Sequence, residues 1–124
     1  MLPMCQDMGV GVVPYSPQGK GRLTRPWGQQ TARAAVDEVA KTFDSPADAP
    51  IVDAVEAVAA ERGVTMAQVA LAWVLSKPAV AAPVVGATKP HHLQGAVDAL
   101  DVVLTDEEIQ SMEAPYTPQD PYWW

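Results

Sequence analysis

Two short apolar runs, GVGVVPYSPQGKGRL at residues 9–23 and AAPVVGATKPHHL at residues 81–93, each end in a polar, glycine-bearing turn, and a long helical stretch separates them. Apolar runs bounded by Gly and Pro and joined through helices are the pattern of parallel strands with helix crossovers. The expected class is therefore α/β. In such folds ligands and chemistry gather just past the carboxyl ends of the strands, so these two turns are the candidate functional positions.

Composition narrows the partners. A chain of 124 residues with 48% hydrophobic and 19% charged content has room for one domain, taken as residues 1–124. The formal net charge of −7 repels phosphate backbones and anionic membrane surfaces, so neither nucleic acid nor a membrane is an expected partner. A single cysteine, Cys5, excludes an internal disulfide and cannot build a zinc site alone. No run reaches the roughly 20 apolar residues of a membrane span, and no basic region leads into an apolar signal core. A cytoplasmic location is expected.

Residues 1–8 read as the tail of a helix that Gly9 ends before a strand at residues 10–15. A chain opening on the end of an element is expected to have lost its beginning. Residues 19–50 read as a long surface loop with a short possible helix near residues 32–41. Ile51, Val52, Val55, Val58 and Ala59 then recur at helical spacing, Gly63 suits a left-handed cap, and Thr65 with Gln68 forms a capping-box pattern. Residues 66–75 are apolar almost all round and need burial on several sides. A strand is expected at Val84 and Val85, then a helix with Leu93, Ala96, Val97 and Leu100 on one stripe. Thr105 with Glu108 opens a short acidic helix ahead of a tail at residues 115–124.

The run Tyr15-Ser16-Pro17-Gln18-Gly19-Lys20-Gly21-Arg22-Leu23, the segment EAVAAERGVTMAQVALAWVLSKP at residues 56–78, and Pro83-Val84-Val85-Gly86-Ala87-Thr88-Lys89 leading to Leu93 together resemble the end of an aldo-keto reductase. The three matches are collinear and cover nearly the whole chain. The resemblance implies an eight-stranded (β/α) TIM barrel, of which this chain would supply the carboxyl-terminal βαβα portion with a terminal helix and tail. It also implies an NAD(P)H-dependent oxidoreductase that reduces aldehydes or ketones. The family's catalytic Asp, Tyr, Lys and His belong to earlier strands, and none of their motifs occurs here, so no catalytic residue is assigned.

What the resemblance does carry over is cofactor-binding equipment. Tyr15 matches the aromatic residue on which the nicotinamide ring stacks, and Ser16, Gln18 and Gly19 match the turn around the pyrophosphate, with Gln18 where leucine is usual. Gly86, Ala87, Thr88 and Lys89 match the segment that receives the adenosine phosphate at a helix start, where Lys89 would favour NADPH over NADH. His92 stands where the family often has Gln or Arg, and Gly95-Ala96 where it often has Glu-Asn. The His91-His92 pair is not read as a metal site, because adjacent helical residues point about 100° apart and no third ligand lies nearby. Trp27 is a candidate for a loop lid, Trp73 for the core, and Tyr122-Trp123-Trp124 for the tail that borders the family's substrate pocket.

Two parallel strands cannot close a barrel, so unpaired edges and bare apolar surface are expected. Alone, the chain is expected to be marginal, self-associating or partly molten, to bind NADPH weakly or not at all, and not to turn over. A non-catalytic module docking on an amino-terminal half-barrel, or a bare nucleotide-binding protein, are the alternative readings.

Overall fold

The computed structural model describes residues 1–29, 31 and 45–118. The expected helix near residues 32–41 and the aromatic cluster Tyr122-Trp123-Trp124 lie outside the described residues. Five α-helices are described: α1 (Leu2–Asp7), α2 (Ala49–Arg62), α3 (Met66–Leu75), α4 (Pro90–Asp98) and α5 (Asp106–Glu113). Short 3-10 stretches occupy Gly19–Thr24, Pro46–Asp48 and Ala99–Asp101.

Helix α3 is the centre. Met66, Val69, Ala70, Leu71, Ala72 and Val74 are all buried, as the absence of a polar face requires. Against one side packs α2, whose buried stripe is Val52, Val55, Val58 and Ala59. Met112 of α5 and the partly buried Leu23, Val64, Trp73 and Leu104 complete that core. On another side α3 meets α4 and the stretch Ala99–Asp101.

Local chemistry sets the helix ends where the sequence places them. Gly63 adopts φ 66° and its N–H reaches back to the Ala59 and Ala60 carbonyls, a left-handed stop that an L side chain resists. The chain then turns by 103° into α3. Thr65 and Gln68 form a reciprocal capping box there, and Thr105 and Glu108 form another at the start of α5. Gly9, also left-handed at φ 66°, closes α1.

The strands are where expectation and structure part. Among the described residues the pairing is a single parallel bridge, Val12 with Val80, rather than full strands at residues 10–15 and at Val84-Val85. Val12 donates to the Ala79 carbonyl at 2.8 Å and accepts from the Ala81 N–H at 2.9 Å. Continuing that register would require N–H groups from Pro14 and then Pro83, and proline has none. The ladder instead slips by one residue, and the Val84 N–H donates to the Pro14 carbonyl at 3.0 Å. Two prolines thus reduce a strand pair to one bridge and one displaced bond.

A second correction concerns α4. Of the expected stripe, Leu93, Val97 and Leu100 are exposed, at 59%, 50% and 64%, while Ala96 is partly buried. The side turned inward carries Gly95, Ala96 and the buried Ala99, whose small size permits close approach to α3. Val10, Val13 and Val84 of the paired segment are also largely exposed.

Ion pairs tie α5 to the end of α2 and to the segment just past α3. The Arg62 guanidinium grips both carboxylate oxygens of Glu108, with Nη2 to Oε2 at 2.6 Å. That pairing, followed by the Thr105 backbone N–H, lowers the Glu108 pKa from 4.5 to about 2. At the other end of α5, Glu113 Oε1 accepts from Lys77 Nζ at 2.6 Å and from the Trp73 indole N–H at 2.9 Å, with the Lys77 ammonium 4.4 Å from the Trp73 ring centroid. Trp73 is therefore a half-buried rim residue with its polar atom satisfied, rather than plain core.

Because the folded Glu108 carboxyl holds its proton less tightly than an unfolded one, its contribution to stability is complete above about pH 4.5 and lost as pH falls through about 2. Chemical denaturation of wild type and Glu108→Gln between pH 7 and pH 2 is expected to show a smaller loss of stability in the variant. Parallel curves would contradict the pairing.

Candidate functional site

The first turn follows directly from the broken ladder. After Pro14, Tyr15 is 79% exposed, and the backbone then reverses through a series of left-handed positions: Ser16 at φ 55°, Gly19 at 56°, Lys20 at 55° and Gly21 at 89°. Two of these four carry side chains, which costs each roughly 1–2 kcal/mol, so the surroundings must hold them.

Several bonds do so. Gly19 N–H donates to the Ser16 carbonyl at 2.9 Å, and the Gln18 carbonyl accepts from Gly21 and Leu23. The Gln18 side-chain amide reaches the Ala67 carbonyl in the first turn of α3 at 3.5 Å, a long bond that docks the turn on the hub. Leu23 sinks into the helical core. Gln18, which replaces the family's usual leucine, is thus placed against α3.

The Gly21 carbonyl is a focus that sequence reasoning passes over. It accepts from Thr24 Oγ1 at 2.8 Å and from Arg25 Nη1 at 2.8 Å, while Arg25 Nε donates to the Gln29 carbonyl at 3.0 Å. A Cβ on Gly21 would lie 3.1 Å from Arg25 Nη1, so a side chain there is opposed both by φ and by the guanidinium. Residues 8–36 contain no Asp or Glu but carry Lys20, Arg22, Arg25 and Arg33, within a chain of net charge −7.

The second turn is open. Gly86, Ala87, Thr88 and Lys89 are all exposed, and a Cβ on Gly86 would meet nothing within 4 Å. Lys89 is the extended N-cap residue of α4, its carbonyl accepting from the His92 N–H at 3.0 Å. Thr88 Oγ1 lies 3.4 Å from His92 Nδ1, and the His91 and His92 rings sit edge to face at 4.5 Å.

Parallel pairing brings the two turns to one end of the molecule. The bond from Val84 N–H to the Pro14 carbonyl lies one residue before Tyr15 and two before Gly86. An open hollow of about 220 Å³, between residues 6–11 and 78–81, lies at the opposite end of the pair and is lined by no titratable side chain. Among the described residues no group of three His, Cys, Asp or Glu side chains is arranged to hold a metal ion, and no helix is by itself long and apolar enough to cross a membrane.

The geometry of Gly21 is testable. Gly21→Ala is expected to lower stability by about 1 kcal/mol in urea denaturation, from the φ of 89° and the crowded guanidinium. A neutral or stabilised variant would show that the turn is not held as described.

Comparison with known proteins places these features in context. The model for the aldo/keto reductase family matches residues 1–116. Versiconal hemiacetal acetate reductase of Aspergillus parasiticus is 40% identical over 124 residues, covering 96% of this chain and 36% of the relative. Norsolorinic acid reductase B of the same species is 36% identical over 120 residues, covering 94% of this chain and 31% of the relative. Among solved structures, the glycerol dehydrogenase of Gluconobacter oxydans aligns with a TM-score of 0.73 at 27% identity, over 98% of this chain and 40% of that one. A thermostable aldo-keto reductase solved with the inhibitor epalrestat aligns with a TM-score of 0.64 at 26% identity, over 93% and 33%. The chain thus spans about a third of the length of the curated relatives it matches.

Proposed function

The chain belongs to the aldo/keto reductase family, and from that premise we propose that it forms the cofactor-holding, carboxyl-terminal part of an NAD(P)H-dependent carbonyl reductase barrel. The observation that carries the reading is the convergence of two glycine-bearing turns at one end of a parallel pair, fixed by Val12 with Val80 and by Val84 with Pro14. Tyr15 offers an exposed ring for the nicotinamide to stack on. Ser16, Gln18 and Gly19 would border the pyrophosphate, and Gly86, Ala87, Thr88, Lys89 and His92 the adenosine phosphate, where an open backbone leaves room for a bulky anion.

The reduced nicotinamide, when bound, supplies a hydride to an aldehyde or ketone carbonyl. This chain's own part is to fix the ring face through Tyr15 and to neutralise phosphate charge through the turns. A proton donor to the carbonyl oxygen is not among the residues matched here, so the chain alone is expected not to turn over. A cytoplasmic setting, where NADPH is at hand, belongs to the same reading.

A second reading rests on the uncovered apolar surface. Val10, Val13 and Val84 on the paired segment, and Leu93, Val97 and Leu100 on α4, suit self-association or docking with an amino-terminal half-barrel.

Fluorescence titration with NADPH separates these readings. The chain alone is expected to bind more weakly than about 1 μM, since only part of a cofactor site is present. Co-expression with the first six βα units of a relative is expected to restore tight binding and carbonyl-dependent NADPH oxidation, both reduced in Tyr15→Ala. Assembly without any NADPH binding would leave only the docking reading.

A further inference from the structure

Three of the chain's five methionines fall within its first eight residues, as Met1, Met4 and Met8, and its single cysteine, Cys5, stands among them. The Cys5 N–H donates to the Met1 carbonyl at 3.1 Å and the Met8 N–H to the Met4 carbonyl at 3.0 Å, so all four follow one helical path through α1. At about 100° per residue, their side chains leave the axis within an arc of about 100°. One face of α1 therefore carries four sulfur atoms.

Packing does not account for that face. Helix α1 contributes no buried residue, and Met1, Met4 and Met8 are 94%, 60% and 67% exposed, whereas Met66 and Met112 are buried in the helical core. The donors are also uniformly soft. Asp7 is the one charged side chain among residues 1–18, and no histidine precedes His91. Zinc takes several thiolates, imidazoles or carboxylates, and calcium and magnesium take oxygen ligands, so this set suits none of them. Thioethers joined by a thiolate select copper(I). Three rotatable bonds in each methionine let sulfurs from adjacent turns, whose Cβ atoms are about 5–6 Å apart, converge on one ion.

We propose that Met1, Met4, Cys5 and Met8 form a binding site for one copper(I) ion on the exposed face of α1. Ligation breaks the Cys5 S–H bond and forms a sulfur–copper bond, the proton passing to water, while the thioethers donate lone pairs. No electron is transferred, so the ion enters and leaves as copper(I), and uptake weakens as pH falls because protons compete for the Cys5 sulfur. The site is anchored where the Val10 N–H donates to the Cys5 carbonyl at 2.8 Å. It sits at the end of the parallel pair away from Tyr15 and Gly86, so it stands independently of the cofactor reading.

The test is an anaerobic titration of the full chain with copper(I) against a competing chromophoric chelator, followed through the methionine methyl resonances. Uptake of one equivalent is expected, shifting the methyls of Met1, Met4 and Met8 while those of the buried Met66 and Met112 stay in place. Replacing Met4 and Met8 together by leucine keeps volume and apolar character but removes two sulfurs, and is expected to weaken binding about tenfold or more, as is Cys5→Ser. Far-UV circular dichroism is expected to be unchanged in both variants. Equal affinity in wild type and the double variant, uptake that shifts the His91 and His92 resonances instead, or no uptake against the chelator would overturn the proposal.

Discussion

Helix α3 has no polar face, and the rest of the described structure follows from the need to bury it. Burying a Leu or Val side chain contributes roughly 1.5–3 kcal/mol, and here Val69, Leu71 and Val74 are buried together with Met66, Ala70 and Ala72 against neighbours that include Ala59 and Ala99. That requirement places α2 on one side and α4 on another. It also gives the turn at residues 16–21 its footing, since Gln18 reaches the Ala67 carbonyl and Leu23 enters the core that α3 shares with α2. A turn with four left-handed residues would not keep its shape on an unsupported loop.

The same reasoning explains which parts of the fold are legible in the sequence. Gly63, Thr65 with Gln68, and Thr105 with Glu108 act within a few residues of themselves, so their roles are written locally. The strand pair is different, because its extent depends on register. Pro14 and Pro83 are plain in the chain, but only the pairing of Val12 with Val80 puts both prolines where successive ladder donors are needed. Apolar periodicity likewise groups Leu93, Ala96, Val97 and Leu100 on α4 without revealing that the large members stay exposed while Gly95, Ala96 and Ala99 are the more buried.

The candidate site is legible as two turns and not as a set of bonds. Family resemblance singles out Tyr15, Ser16, Gln18 and Gly19 in one turn and Gly86, Ala87, Thr88, Lys89 and His92 in the other, and the parallel bridge places both groups at one end. At Gln18 the resemblance says only that leucine is replaced, whereas in the structure the amide serves the backbone of α3. The bonds of Arg25 have no motif to mark them, because they are made to carbonyls, which carry no signature in the sequence.

The first turn of α5 and the turn at residues 16–25 carry side chains of opposite charge. Helix α5 opens with Asp106, Glu107 and Glu108, which suits the positive end of a helix dipole and the Arg62 guanidinium. In the turn at residues 16–25, Arg25 Nε and Nη1 donate to the Gln29 and Gly21 carbonyls. An arginine held in this manner gains orientation at little cost to its charge. The strained turn beside it is supported from the helical core, where Gln18 reaches the Ala67 carbonyl and Leu23 is packed.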